Sequence, residues 1–308
     1  MNDHNTAQPF QLETSNLRGR HVKLDSVLND ILTAHDYPLP IAHLVAETIT
    51  LTLLLSSMLK YEGIFTLQIK GDGPVSMLVA DIIQPDGVIR GCAAYDDKRL
   101  KSAREQLSAL KTSETSQNNL AQYLGKGYLA FTVDPSDGGE QYQGIVDLQG
   151  ANLTECVQHY FKQSEQIDTG IKMAVGQRDE AWHAGGIMLQ TMPEDEANIR
   201  SGVSNLDEDD WRRAMVLMDS VTEDELLSTE LSINDVLIRL FHQEGVRVFD
   251  PTTVKKGCRC SQERVENMVS MMGEDDIAYM VEKGQIEMMC EFCSTVYHVH
   301  HDGGKTGV

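Results

Sequence analysis

In Gly63-Ile-Phe-Thr-Leu-Gln-Ile-Lys70, the apolar residues Ile64, Phe65, Leu67 and Ile69 are interleaved with polar ones. That is the period of a strand with one buried face. Gly71-Asp-Gly-Pro74 reads as a turn and Val75–Val79 as the start of a second strand, which predicts a hairpin. Further strands are predicted over Val88–Ala93, Tyr128–Val133, Tyr142–Val146 and Gly186–Gln190, with a helix over Leu153–Gln166. The longest apolar stretch, Ile41 to Leu59, carries His43, Glu47 and several Thr and Ser. It predicts a buried amphipathic helix in preference to a membrane span.

After residue 192 the pattern changes. From Glu194 to Asp235 there are 13 Asp or Glu against three Arg. Helix signals persist: Thr222-x-x-Glu225 has the spacing of a capping box, and Ser232-x-x-Asp235 is a looser version. Met215, Leu217, Met218, Val236, Leu237, Leu240 and Phe241 supply thin apolar stripes. Such helices repel themselves and must lean on a neighbour. On composition alone, a solvated linker and a regulatory one read equally well.

The last stretch carries the chemistry. Four of six cysteines stand as Cys258-x-Cys260 and Cys290-x-x-Cys293, separated by 29 residues. Two tight pairs brought together by a loop supply the four soft ligands of a tetrahedral zinc site. Four thiolates leave no open position, so the metal holds structure and activates no water. Thiolates are also readily oxidised, so the site is either a permanent staple or a redox-sensitive one. Lys255, Lys256, Arg259 and Arg264 surround the first pair and are expected to favour its thiolates. Val265, Met268, Val269 and Met272 predict one helical face, and Ile277, Met280 and Val281 a second. So few large apolar side chains cannot secure a fold of this size. Structural zinc, worth on the order of 10–16 kcal/mol in small modules, would supply the deficit.

Charge and motif narrow the function. A formal charge of −21 argues against nucleic acid as the main partner. The N-terminus MNDHNTAQPF has no basic start and no apolar run, so no secretory signal is expected. A reducing cytosol is therefore the expected compartment, where cysteines at this spacing read as metal ligands before disulfides. Gly71-x-Gly73 lacks the Lys-Ser/Thr of a phosphate loop and reads as a plain turn. Cys-x-x-Cys placed before the strand-like Ser-Thr-Val-Tyr-His-Val is a poor match to a thiol oxidoreductase site, which opens a helix. His298, His300 and His301 are expected to be solvated or structural, and Cys92 and Cys156, being isolated, receive no role. No catalytic constellation emerges, so the protein is not expected to be an enzyme.

Cys258-Arg-Cys-Ser-Gln-Glu-Arg264 and Cys290-Glu-Phe-Cys293 closely match the zinc module of the bacterial 33-kilodalton heat-shock protein family. The likeness extends through His35-Asp-Tyr-Pro38, Glu62-Gly-Ile-Phe-Thr-Leu-Gln-Ile-Lys-Gly-Asp-Gly-Pro74 and Ile89-Arg-Gly91. It continues through Tyr160-Phe-Lys-Gln-Ser-Glu-Gln166 and Ala184-Gly-Gly-Ile-Met-Leu-Gln190, so it covers nearly the whole chain. The resemblance implies a redox-regulated, cytoplasmic, ATP-independent holdase of the stress response. In that reading the reduced chain holds one Zn2+ on Cys258, Cys260, Cys290 and Cys293 and is inactive. Oxidation forms Cys258–Cys260 and Cys290–Cys293 disulfides, the zinc is lost, linker and module unfold, and the exposed surface holds unfolded client proteins, with the active form a homodimer. No nucleic acid or membrane takes part. The expected architecture is α+β: a mixed α/β core over residues 1–192, an acidic helical linker over 193–246 and a zinc domain over 247–308. The alternative is a static zinc-stapled protein with a binding or enzymatic site in its first domain.

Overall fold

The computed structural model describes residues 4–15, 17–109, 119–192, 208–280 and 285–300. They form a mixed α and β structure that divides into two compact units, Met1–Lys256 and Gly257–Val308.

The first unit is built on two sheets. In one, strands run in the order β10 (Val246–Val248), β1 (Thr6–Leu12), β2 (Leu17–Leu24), β9 (Ala181–Thr191) and β8 (Thr169–Arg178), with β11 (Thr252–Thr253) also on β1. In the other the order is β12 (Lys255–Lys256), β5 (Val88–Tyr95), β4 (Val75–Gln84), β3 (Gly63–Gly71), β6 (Gly127–Pro135) and β7 (Tyr142–Asp147). The predicted hairpin is there, with Ile69 opposite Leu78, and so is each of the other predicted strands. The glycines of Gly71-Asp-Gly73 serve close packing. A Cβ on Gly71 would stand 2.1 Å from the Leu124 carbonyl oxygen, and one on Gly73 2.4 Å from that of Tyr123.

Between the sheets lies α2 (Leu39–Ser56). Sequence led us to expect an amphipathic helix, but it is buried all round, because both sheets cover it. By length and composition it could cross a membrane, yet 89% of it is buried inside the fold. Its hydroxyls are satisfied locally: Thr48, Thr50 and Thr52 donate to the carbonyls of Leu44, Ala46 and Thr48 at 2.7–2.8 Å.

The first sheet buries both faces. Val22, Ala184 and Met188 look inward to α2, while Phe10, Leu17, Ile187 and Leu189 look outward. That explains the unbroken apolar run Ile187-Met-Leu189, which alternation would otherwise interrupt. The outward face is covered by α6 (Glu208–Asp219), α7 (Glu223–Leu226) and α8 (Ile233–Phe241). Met218, Leu226, Val236, Leu237, Leu240 and Phe241 form a second core there, and Phe241 stacks on Phe10 at 6.0 Å. Both capping boxes are complete. Thr222 and Ser232 each accept from the backbone N–H three residues on, and the Glu225 and Asp235 side chains accept in return. Arg213 pairs with Glu244 at 2.7 Å, and Lys23 donates to the Leu231 carbonyl at 2.6 Å. Acidic residues 194–196 and 207 lie outside the described residues.

The predicted helix over Leu153–Gln166 is an α-helix only to Tyr160. Phe161–Glu165 widen into a π turn that ends at left-handed Gln166, φ 56°. The second unit holds α9 (Gln262–Ser270), α10 (Glu274–Met280) and an antiparallel hairpin of β13 (Gln285–Met289) and β14 (Val296–His300). Among its described residues only Val265, Val269 and Ile286 are buried apolar side chains. Val281 falls outside the described residues.

Candidate metal centre

The two cysteine pairs reach one point by different routes. Cys258 and Cys260 lie just before α9, whose first turn is capped by Ser261 accepting from the Arg264 N–H. Cys290 and Cys293 sit in the turn of the β13–β14 hairpin. There the Cys290 N–H donates to the Thr295 carbonyl (2.9 Å) and the Ser294 N–H to the Cys290 carbonyl (2.8 Å). Ser294 takes φ 56° in this turn. Gln262 Nε2 donates to the His298 carbonyl at 2.9 Å and ties α9 to β14.

All four sulfurs lie within 4.8 Å of one another and could hold a metal ion. Cys258 Sγ stands 3.6 Å from Cys290 Sγ, and Cys260 Sγ stands 3.4 Å from Cys293 Sγ. Metal–sulfur bonds of ~2.3 Å arranged tetrahedrally need sulfur–sulfur edges of about 3.8 Å. The observed edges are within a few tenths of that and far longer than a ~2.05 Å disulfide bond. The cluster fits a four-thiolate ion.

Burial pushes the Cys260 thiol up to about 12 and raises that of Cys290. The Tyr297 hydroxyl, 3.0 Å away, donates to Cys260 Sγ and opposes the shift only in part. Nearby basic residues were expected to favour the thiolates. Burial opposes this at Cys260, and Arg264 spends a guanidinium N–H on the Arg259 carbonyl. Four sulfurs crowded this closely have little to hold them together without a cation, which would favour their thiolates. The four cysteines are only half-buried, so an oxidant can reach them.

The remaining candidates fall elsewhere. His298 and His300 are exposed, and His301 lies outside the described residues. Cys92 and Cys156 are buried in the first unit, the latter with its thiol raised to about 11 by burial. Sequence reasoning missed Tyr297 and Thr295, whose hydroxyls border the sulfurs; their place directly after Cys293 was the available signal.

The family model described as Hsp33 protein matches residues 5–300. The 33 kDa chaperonin of Caulobacter vibrioides (strain NA1000 / CB15N) is 34% identical over 299 residues, covering 96% of this chain and 94% of the relative. That of Escherichia coli O7:K1 is 34% identical over 298 residues, covering 96% and 92%. The crystal structure of the 33 kDa chaperonin from Thermotoga maritima superposes with a TM-score of 0.77 at 20% identity, covering 97% of this chain and 96% of that one.

Proposed function

This chain belongs to the Hsp33 family of chaperones, and we propose that it is an ATP-independent holdase switched on by oxidation of Cys258, Cys260, Cys290 and Cys293. The observation that carries this reading is a four-sulfur cluster in a unit with only three buried apolar side chains among its described residues. Such a unit depends on its ion for folding.

In the reduced state the four thiolates hold one Zn2+ per chain, which supplies the folding energy the apolar core lacks. On oxidation Cys258 pairs with Cys260, and Cys290 with Cys293. Each pair gives two electrons to one peroxide, which takes two protons and becomes two waters. No thiolate donor then remains, and the module unfolds. The three functional parts are the core over 1–192, the acidic linker over 193–246 and the zinc domain over 247–308. Opening of the linker bares Phe10, Leu17, Ile187 and Leu189 on the sheet and the stripes of α6 and α8 that cover them. Apolar patches of that extent bind non-native chains. The active form is a homodimer in the cytoplasm, acting on unfolded proteins with no catalytic step, nucleic acid or membrane.

Hydrogen exchange on reduced and peroxide-treated protein, alongside aggregation of a heat-unfolded client, tests this reading. Protection should vanish in 208–300 and persist in β3–β6, with client held only after oxidation. Client holding with the 208–241 amides still protected would refute the switch. Unfolding of that segment without holding would favour a static zinc protein.

A further inference from the structure

Two hydroxyls from one short stretch of chain reach the sulfur cluster. Tyr297 lies in β14 opposite Met288 of β13, and its hydroxyl donates to Cys260 Sγ at 3.0 Å. The Thr295 hydroxyl, two residues earlier, stands 3.2 Å from Cys293 Sγ. A thiolate can only accept, so with the cysteines in that form both hydroxyls donate. Each cysteine pair thus has one sulfur that receives a hydroxyl. The Tyr297 contact is the shorter of the two. It also joins the segment before α9 to the strand after the hairpin turn.

Such a bond acts on a cysteine in two ways, and they have opposite signs. On a free thiol it favours the thiolate and so raises the reactive share. On a sulfur that already binds a cation the thiolate is complete, and that gain is absent. What remains is withdrawal of charge. Intrinsic nucleophilicity falls with basicity at a Brønsted slope of about 0.4–0.5. A donor that lowers the basicity of the sulfur about tenfold therefore slows its attack about threefold. Groups hydrogen-bonded to metal ligands orient and tune them in this manner.

We propose that Tyr297 is a positioning residue that sets the oxidant threshold of the first cysteine pair, its hydroxyl fixing Cys260 Sγ and lowering its nucleophilicity. This role rests on the oxidative switch proposed above and adds the residue that restrains it. In the restrained step the Cys260 sulfur attacks one oxygen of peroxide, the O–O bond breaks, and the leaving hydroxide takes a proton to become water. The Cys258 thiolate then displaces hydroxide from the Cys260 sulfenic sulfur, the S–S bond forms, and a second proton makes the second water. Two electrons pass from the sulfurs to peroxide. Tyr297 loses no proton in either half.

Full-length reduced wild type, Tyr297→Phe and Tyr279→Phe would be compared in excess zinc. Tyr297→Phe keeps the ring and removes only the hydroxyl; Tyr279, 92% exposed in the same unit, is the control. Early-time alkylation by iodoacetamide, and sulfenate trapping during a brief peroxide pulse, would be mapped to each cysteine by mass spectrometry. Cys260 should react about threefold faster in Tyr297→Phe with both reagents, and Cys290 at the wild-type rate. In the Co2+-loaded chain the sulfur-to-cobalt absorption should move to longer wavelength, because a sulfur without its donor holds charge less tightly. Tyr279→Phe should change neither. An unchanged or slower Cys260, an unmoved absorption, or equal acceleration of all four cysteines, which is mere loosening of the module, would overturn the assignment. So would a Tyr297→Phe chain that no longer holds zinc, which would make the hydroxyl a structural tie. Faster alkylation of Cys260 in a chain that peroxide fails to activate would leave Tyr297 in this role and sink the holdase reading instead.

Discussion

Gly185 and Gly186 are adjacent on β9 and face opposite ways, which makes them a matched probe of linker docking. A Cβ on Gly185 would lie 2.2 Å from the Leu226 carbonyl oxygen and 2.9 Å from its carbon, in the backbone of α7. A backbone contact that short cannot be absorbed by a rotamer change, so the helix must retreat by roughly 1 Å. A Cβ on Gly186 would press only on the end of the Leu54 side chain, at 3.1 Å on the face turned to α2, with the Lys172 carbonyl oxygen and Val22 at an ordinary 3.5 Å. Neither glycine has positive φ, so alanine strains neither backbone. Overpacking of this kind costs about 1–3 kcal/mol. A middle value of ~2 kcal/mol raises the undocked population about thirtyfold. We expect reduced, zinc-loaded Gly185→Ala to lose hydrogen-exchange protection over 208–241, and to slow aggregation of a heat-unfolded client with no oxidant present. Gly186→Ala should show neither change. Unaltered exchange in Gly185→Ala, or equal loosening by Gly186→Ala, would refute the idea that the helices are held against the sheet by this close packing.

Metal analysis with X-ray absorption should find one zinc per reduced chain in an all-sulfur shell; nitrogen or oxygen ligands, or two ions, would overturn the site. Cys92→Ala/Cys156→Ala should leave zinc release and client protection after peroxide unchanged, because both thiols are buried; loss of activation in a variant that folds when reduced would make one of them a working thiol. Burial and the nearby Lys23 hold His21 at about 3, below its ordinary 6.5. The unfolded chain therefore binds the extra proton first, so this stabilisation is complete above pH 6.5 and lost as pH falls toward 3. The loss at pH 5 is about 2 kcal/mol. His21→Leu should flatten the urea-unfolding stability profile of the first unit between pH 6.5 and 5; an unchanged profile would show that His21 does not contribute.

Local signals were legible, and signals created by the tertiary structure were not. The alternation in β3 and the two capping boxes appear where sequence predicts them, because each depends on neighbours within a few residues. The cysteine cluster was readable for the same reason, since each pair is built by one short segment. Strand β2 was missed. Leu-Arg-Gly-Arg-His-Val-Lys-Leu reads as a polar stretch, and only the surrounding fold buries His21 and Lys23. β8 was missed likewise, with Gly170 and Gly176 reserved for close contact with Met215 and Leu227. The burial that raises the Cys260 thiol was not legible either, because neighbouring charge is visible in a sequence and desolvation is not. The cavity lined by Leu55, Phe65, Phe131 and Phe161 draws its walls from β2, α2, β3, β6, β7, the π turn and β9, and no local pattern announces such a convergence.

The central claim is that loss of the four-sulfur site and gain of client binding are one event. Peroxide titration of the zinc-loaded protein tests it most directly, with released zinc followed by a colorimetric chelator and a heat-unfolded client followed by light scattering in the same sample. The two curves should rise together, client protection reaching its maximum as one zinc per chain is released. Full protection while the zinc is still bound, or complete zinc release with the client still aggregating, would contradict the account.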